Sequence, residues 1–176
     1  GGMNIGDRHL AENKANPSRV SDLHFQVSGP VVRQMEKVFL QDWFFCTKEE
    51  PDVWEDYSHP QTAEEHSGAV CRAIEDGPNE EFDKLAMILN GCISIAHKSV
   101  NIMTPYFLPS RTMIGALQTA ALRGVKVNII LPQKNNIPVV KWATTNMLWE
   151  ILQQGVRVFY QPPPFAHTKL FVVDNH

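Results

Sequence analysis

The stretch His167-Thr168-Lys169-Leu170-Phe171-Val172-Val173-Asp174 governs the interpretation of the rest of the chain. It sets an imidazole and an ammonium two positions apart at the head of an apolar run with the composition of a β-strand, so the last strand is expected over His167 to Val173. Successive side chains of a strand point to opposite faces, which puts His167 and Lys169 side by side on one face. A phosphate diester would meet there a nucleophile or proton donor and a fixed positive charge, the two things phosphoryl transfer requires. The alternative is an edge strand with two solvated polar residues. Asp174 has the opposite parity. It is expected to hold a neighbouring group or the strand end by hydrogen bonds, or else to form a turn ahead of Asn175.

Upstream, strands and helices alternate. Ser99 to Met103 reads as a strand, Ser110 as the cap of a helix running to Leu122, and Gly124 as its C-terminal glycine. Val125 to Leu131 reads as a buried strand, Pro138 to Leu152 as a helix stopped by Gly155, and Val156 to Tyr160 as a strand. Further back, Asp22 to Val27 alternates like a half-buried strand, and Ser28-Gly29-Pro30 supplies a helix start. Val31, Met35, Val38, Phe39 and Trp43 follow at helical spacing and are expected to bury one apolar stripe. The acidic stretch from Thr47 to Ser67 shows no period and reads as a surface loop or interlobe linker. After it come a strand over Ala69 to Ile74, a turn at Asp76-Gly77-Pro78-Asn79 and a helix from Glu80 to His97. This order implies an α/β fold with a mostly parallel sheet flanked by helices on both faces. Such sheets bind ligands beyond the carboxyl ends of their strands. The loop Thr104 to Pro109 leaves one of those ends, where Tyr106 and Phe107 either offer apolar surface to a substrate or close the core.

With 176 residues, 43% hydrophobic and 20% charged, the chain can build one full domain with a real core. A formal net charge of -3 gives no bulk electrostatic reason to bind nucleic acid, so no nucleic-acid partner is expected. Cys46, Cys71 and Cys92 lack the spacing of a disulfide framework or a zinc site, which suggests a reducing, cytoplasmic setting. His9, His24 and His97 fall at element ends or on a strand, and His59 and His66 sit in the acidic loop beside Glu64 and Glu65. These five are weak candidates, and no metal site is expected among them.

Chance alone yields roughly 0.02 matches to H-x-K-x4-D in a chain of this composition. HTKLFVVD resembles the active-site motif of the phospholipase D superfamily, whose members pair two such motifs. The opening Gly1-Gly2-Met3-Asn4-Ile5-Gly6-Asp7 resembles the segment that follows a first motif, in the form found in bacterial cardiolipin synthases. Val27-Ser28-Gly29-Pro30, Phe39-Leu40-Gln41-Asp42-Trp43, Thr104-Pro105-Tyr106-Phe107-Leu108-Pro109, Arg123-Gly124-Val125-Lys126-Val127 and Leu131-Pro132 fit the same pattern in order. Departures occur at Arg8-His9, where family members often carry an acidic and an aromatic residue, and from Glu12 to Arg19.

The resemblance implies a phospholipase D-like fold and a fragment running from just after a first His-Lys-Asp motif through the second. Residues 1–60 would be the C-terminal part of a first catalytic lobe plus a linker. Residues 61–176 would be the N-terminal part of the second lobe. The parent would make cardiolipin from two phosphatidylglycerol molecules through a phosphohistidine, without a metal or other cofactor, at the cytoplasmic membrane, with the fragment itself soluble and inactive alone. His167, Lys169, Asp174 and Asn4 would be its catalytic residues here, with Asn4 bonded to a phosphate oxygen, and Tyr106 and Phe107 would bind substrate. Its partners would be phospholipid, a membrane surface and the missing first-motif lobe. Two rivals stand beside this: a phosphodiesterase or nuclease of the same superfamily, and a non-catalytic α/β interaction domain.

Overall fold

A computed structural model of the chain describes residues 1–10, 15–49, 69–77 and 83–175. His59, His66, Glu64 and Glu65, most of the acidic stretch, the lobe boundary at 60/61 and the Pro78 to Phe82 part of the expected turn and helix lie outside the described residues, as do residues 11–14. The elements run β1 (Val20–Ser21), α1 (Val31–Thr47), α2 (Lys84–Ile95), β2 (Ser99–Met103), α3 (Arg111–Leu122), β3 (Lys126–Pro132), α4 (Pro138–Leu152), β4 (Arg157–Gln161), β5 (Phe165–Ala166) and β6 (Leu170–Val173). A short 3-10 turn covers Asp7–His9. The chain divides into two compact units, Gly1–Phe25 with Ala86–His176, and Gln26–Leu85.

The first unit is built on a four-stranded sheet of order β4-β3-β2-β6, in which β2, β3 and β4 are parallel and β6 is antiparallel at the edge. This is the mostly parallel α/β fold expected from the alternation. Pairing of Val100 with Val127 and of Ile102 with Ile129 stacks four apolar side chains on one face. Ile93 of α2, Ile114, Leu117 and Ala120 of α3, and Leu148 and Ile151 of α4 close on that face to form one core. Burial is near complete: Ile93, Leu117, Ile129 and Ile151 are each 0% exposed. Burying such side chains contributes about 1.5–3 kcal/mol apiece, the main return for ordering the chain. On the other face the Asn128 side chain donates from Nδ2 to Asn101 Oδ1 at 2.7 Å.

The helix ends follow their sequence signals. Ser110 Oγ accepts the Met113 N–H at 3.2 Å, an N-cap for α3. Gly124 (φ 89°) and Gly155 (φ 84°) take the left-handed conformation where α3 and α4 give way to strands, a step that glycine makes without a Cβ penalty.

Four expectations are corrected. Asp22 to Val27 is irregular, and the strand there is the two-residue β1, paired in parallel with β5. The alternation of Leu23, Phe25 and Val27 finds no sheet edge, and these residues are 47%, 58% and 43% exposed. Ala69 to Ile74 is likewise irregular, its Ala73 N–H donated to Gln34 Oε1 at 2.9 Å rather than to a neighbouring strand. The apolar stripe of α1 is not buried among the described residues of its unit: Met35 is 51%, Phe39 61% and Trp43 43% exposed. Last, His167 to Lys169 is not strand but the extended link between β5 and β6.

Candidate active site

The antiparallel pairing of β6 with β2 matches Met103 with Leu170 and Val100 with Val173, so the start of β6 lies at the carboxyl end of β2. Phe171 and Val173 turn into the core. Lys169 and His167 have the same parity, but β2 has run out of paired residues there, and the two emerge beyond the carboxyl ends of the parallel strands. Ala166 and Thr168, of the other parity, are each 4% exposed. Burial of these alternate residues keeps the link extended without a continuous ladder. Its position is fixed by the β1 to β5 pairing and by the His167 N–H donated to Ser21 O at 2.8 Å.

His167 is held on both sides. Its Nδ1 lies 3.1 Å from Asp22 Oδ2, with the Asp22 side chain 6% and the His167 side chain 26% exposed. Lys169 Nζ lies 2.9 Å from His167 Nε2 and donates to the His167 carbonyl at 2.8 Å. Burial pushes the Asp22 carboxyl up, but the His167 hydrogen bond, the Leu23 N–H and the nearby His167 and Lys169 charges outweigh it, and its pKa is lowered. Partial burial draws the Lys169 ammonium below its usual value, and the Asp22 charge opposes that shift. The expected side-by-side placement of His167 and Lys169 is therefore seen, although the carrier is an extended link.

Two aromatic rings frame the imidazole. Tyr106 meets it edge-on, centroids 6.2 Å apart and planes at 73°, and Phe165 lies at the same centroid distance. Tyr106 is positioned by its N–H to Thr104 Oγ1 at 3.3 Å and by its hydroxyl, donated to Asn136 Oδ1 at 3.1 Å. Asn135 Nδ2 donates to the Pro105 carbonyl at 2.7 Å, so the loops after β2 and β3 are tied together.

A cavity of about 460 Å³ opens beside His167, with Asn4, Tyr106 and Asn136 in its wall. Asn4 and Tyr106 thus line the same cavity as His167. Phe107 does not. It is 4% exposed in the core, and its carbonyl accepts the Thr144 hydroxyl at 2.9 Å.

Asp174 sits at the far end of β6, about five residues or ~17 Å along the chain from Lys169. Its carboxylate accepts three backbone N–H groups at the start of β2, from His97 (2.9 Å), Lys98 (2.6 Å) and Ser99 (2.9 Å). These three bonds, Ser99 first, hold its pKa at about 2. Its φ of 52°, followed by 67° at Asn175, also makes it a turn residue, so both readings of its parity apply.

Sequence reasoning did not single out Asp22, which it read only as the first residue of a half-buried strand, and the structure places its carboxylate against His167. The close packing at Gly2 was also missed. A Cβ there would lie 2.8 Å from Asp22 Oδ2 and 2.9 Å from His167 Nδ1, so only glycine lets the backbone pass the pair undisturbed. His9, a weak candidate by sequence, stands in the cavity wall.

Comparison with known proteins bears on this geometry. A family model described as cardiolipin synthase, PLD-like domain, matches residues 89–176. Cardiolipin synthase A of Pseudomonas putida is 32% identical over 176 residues, and that of Pseudomonas fluorescens 34% over 175 residues, each comparison covering 99% of this chain and 35% of the relative. A cardiolipin synthase of Geobacillus kaustophilus is 33% identical over 175 residues, covering 99% of this chain and 34% of the relative. The chain therefore spans about a third of the length of these curated relatives. Among solved structures, Nuc, a phospholipase D family member from Salmonella typhimurium, aligns with 51% of this chain and 57% of its own at 26% identity and a TM-score of 0.43.

Proposed function

The chain belongs to the phospholipase D-like cardiolipin synthase family, and on that premise we propose that it forms part of a phosphatidyltransferase in which His167 is the general acid and base. The observation that carries the reading is the imidazole of His167 gripped between Asp22 at 3.1 Å and Lys169 at 2.9 Å, on the wall of a cavity. With Nδ1–H given to Asp22, Nε2, which faces Lys169 Nζ at 2.9 Å, exchanges a proton with substrate oxygen once the ammonium turns to the phosphate oxygens.

The proposed reaction takes two molecules of phosphatidylglycerol. The imidazole of a first His-Lys-Asp motif attacks phosphorus, and His167 Nε2 protonates the departing glycerol oxygen. The resulting phosphohistidine is attacked by the hydroxyl of a second phosphatidylglycerol, whose proton returns to His167, and the phosphorus–nitrogen bond breaks to leave cardiolipin. Lys169 stabilises charge on the non-bridging oxygens, Asn4 donates its amide to one of them, and Tyr106 presents its ring to the glycerol moiety. Asp174 acts at a distance, by fixing the strand that delivers His167 and Lys169. Because this chain carries a single H-x-K-x4-D motif, the 176 residues alone should not turn over unless two copies bring two His167 side chains together.

The test is cardiolipin formation from phosphatidylglycerol vesicles by the full-length protein. His167→Ala should lower kcat by at least about a thousandfold. Unchanged product formation would leave only a non-catalytic role for the domain, and water as the preferred acceptor would make it a phosphodiesterase.

A further inference from the structure

The cavity beside His167 carries Arg8, Arg19 and Lys134 in its wall and, among the described residues, no carboxylate, in a chain whose formal net charge is -3. A cationic concavity in an acidic chain concentrates anions. Lys169, the cation that meets His167, is not part of this wall. The wall therefore holds positive charge beyond what one reacting phosphate needs.

His9 adds a second, independent observation. It stands in the same wall, and its Nε2 is closed to solvent with no hydrogen-bond partner among the described residues. A polar nitrogen left so is costly, and a turn of the ring that brings its N–H to an anion in the cavity removes the cost. The turn Asp7–His9, closed by the His9 N–H donated to Gly6 O at 2.9 Å, presents Arg8 and His9 together.

We propose that Arg8, His9 and Lys134 form a second anion subsite beside His167, which takes the phosphate of an acceptor alcohol. The acceptor role rests on the phosphatidyl-transfer reading above. The ligand is a hydroxyl carried a few bonds from a phosphate anion, whether as a lipid headgroup or as a free phosphate ester. In the transfer step the acceptor hydroxyl forms the new phosphorus–oxygen bond, the phosphorus–histidine bond breaks, and the hydroxyl proton passes to His167. The acceptor's own phosphate stays intact in the subsite and orients that hydroxyl.

Two arms of one experiment on the full-length protein test this. In the first, inorganic phosphate is titrated calorimetrically into the His167→Ala protein. Saturable binding is expected, weakened about tenfold by Arg8→Gln, His9→Phe or Lys134→Gln. Binding that none of the three alters, or no binding, overturns the subsite, and Lys134→Gln covers the case in which a change at the Asp7–His9 turn unfolds the protein. In the second arm, phosphatidylglycerol vesicles serve as donor and labelled glycerol competes with labelled glycerol phosphate. The ratio of incorporation should favour glycerol phosphate, and Arg8→Gln should lower that ratio about tenfold. Phosphatidylglycerophosphate as main product marks a free ester as the natural ligand, and cardiolipin marks a lipid headgroup. A ratio near one that Arg8→Gln does not move overturns the acceptor role. Absence of any transfer, with phosphate binding intact, overturns the transferase reading and the acceptor role while leaving the anion subsite standing.

Discussion

The two ends of β6 carry charged groups of one sequence motif and use them in opposite ways. At the His167 end, an imidazole, an ammonium and a carboxylate are linked by contacts of 3.2 Å or less beside a cavity, and the imidazole remains 26% exposed. At the Asp174 end, the carboxylate spends its accepting capacity on three backbone N–H groups. Groups that neutralise each other only partly can still exchange protons with a ligand, whereas a carboxylate bonded to the main chain is committed to structure. Membership of one motif does not assign one role, since four residues of strand separate the proposed chemistry at His167 and Lys169 from the main-chain bonds of Asp174.

Substitutions at the two ends probe this contrast directly. After His167→Ala, the largest effect is expected for Lys169→Met, which removes the charge facing the phosphate oxygens and should lower kcat about a hundred- to a thousandfold with little change in melting temperature. Asp22→Asn keeps the shape but not the charge that orients Nδ1–H, and a loss of about a hundredfold in kcat is expected, with KM nearly constant. At the other end the effect should be on folding. The Asp174 carboxyl titrates at about 2 in the folded chain against an ordinary 3.8. Its contribution is thus fully present above about pH 4 and is lost as pH falls toward about 2. Asp174→Asn should flatten that acid limb in a urea-unfolding series, while kcat per folded molecule falls far less than at the His167 end. A large kcat loss with unchanged stability would erase the contrast. The smallest effect is expected for Gly2→Ala, whose methyl would sit 2.8 Å from Asp22 Oδ2 and 2.9 Å from His167 Nδ1, so that both must shift, and should cost about tenfold in kcat.

Most of the core was legible because its signals are local. Ser99–Met103, Pro138–Leu152 and the Ser110 cap announce themselves within a few residues, and the structure gives β2 and α4 the expected bounds. The neighbourhood of His167 and Lys169 was legible for the same reason, since parity acts over two residues. Asp22 was not, because its partner is 145 residues away and nothing nearby distinguishes a buried carboxylate from a solvated one. The strand readings misled at Asp22 to Val27 and at Ala69 to Ile74, where a strand pattern has no edge to pair with. On α1 the helical period was right about the helix and silent about what covers Phe39 and Trp43.

The pairing of β1 with β5 joins only two residues on each side, Val20 with Phe165 and Ser21 with Ala166. Closing so long a loop through so few bonds makes this the part of the sheet unit that opens first, well before Ile129 or Ile151 is uncovered. The amide of His167 should accordingly exchange its hydrogen sooner than those of β3. Any ligand that bridges Asn4 and His167 would then act as a clasp, slowing that exchange as it binds.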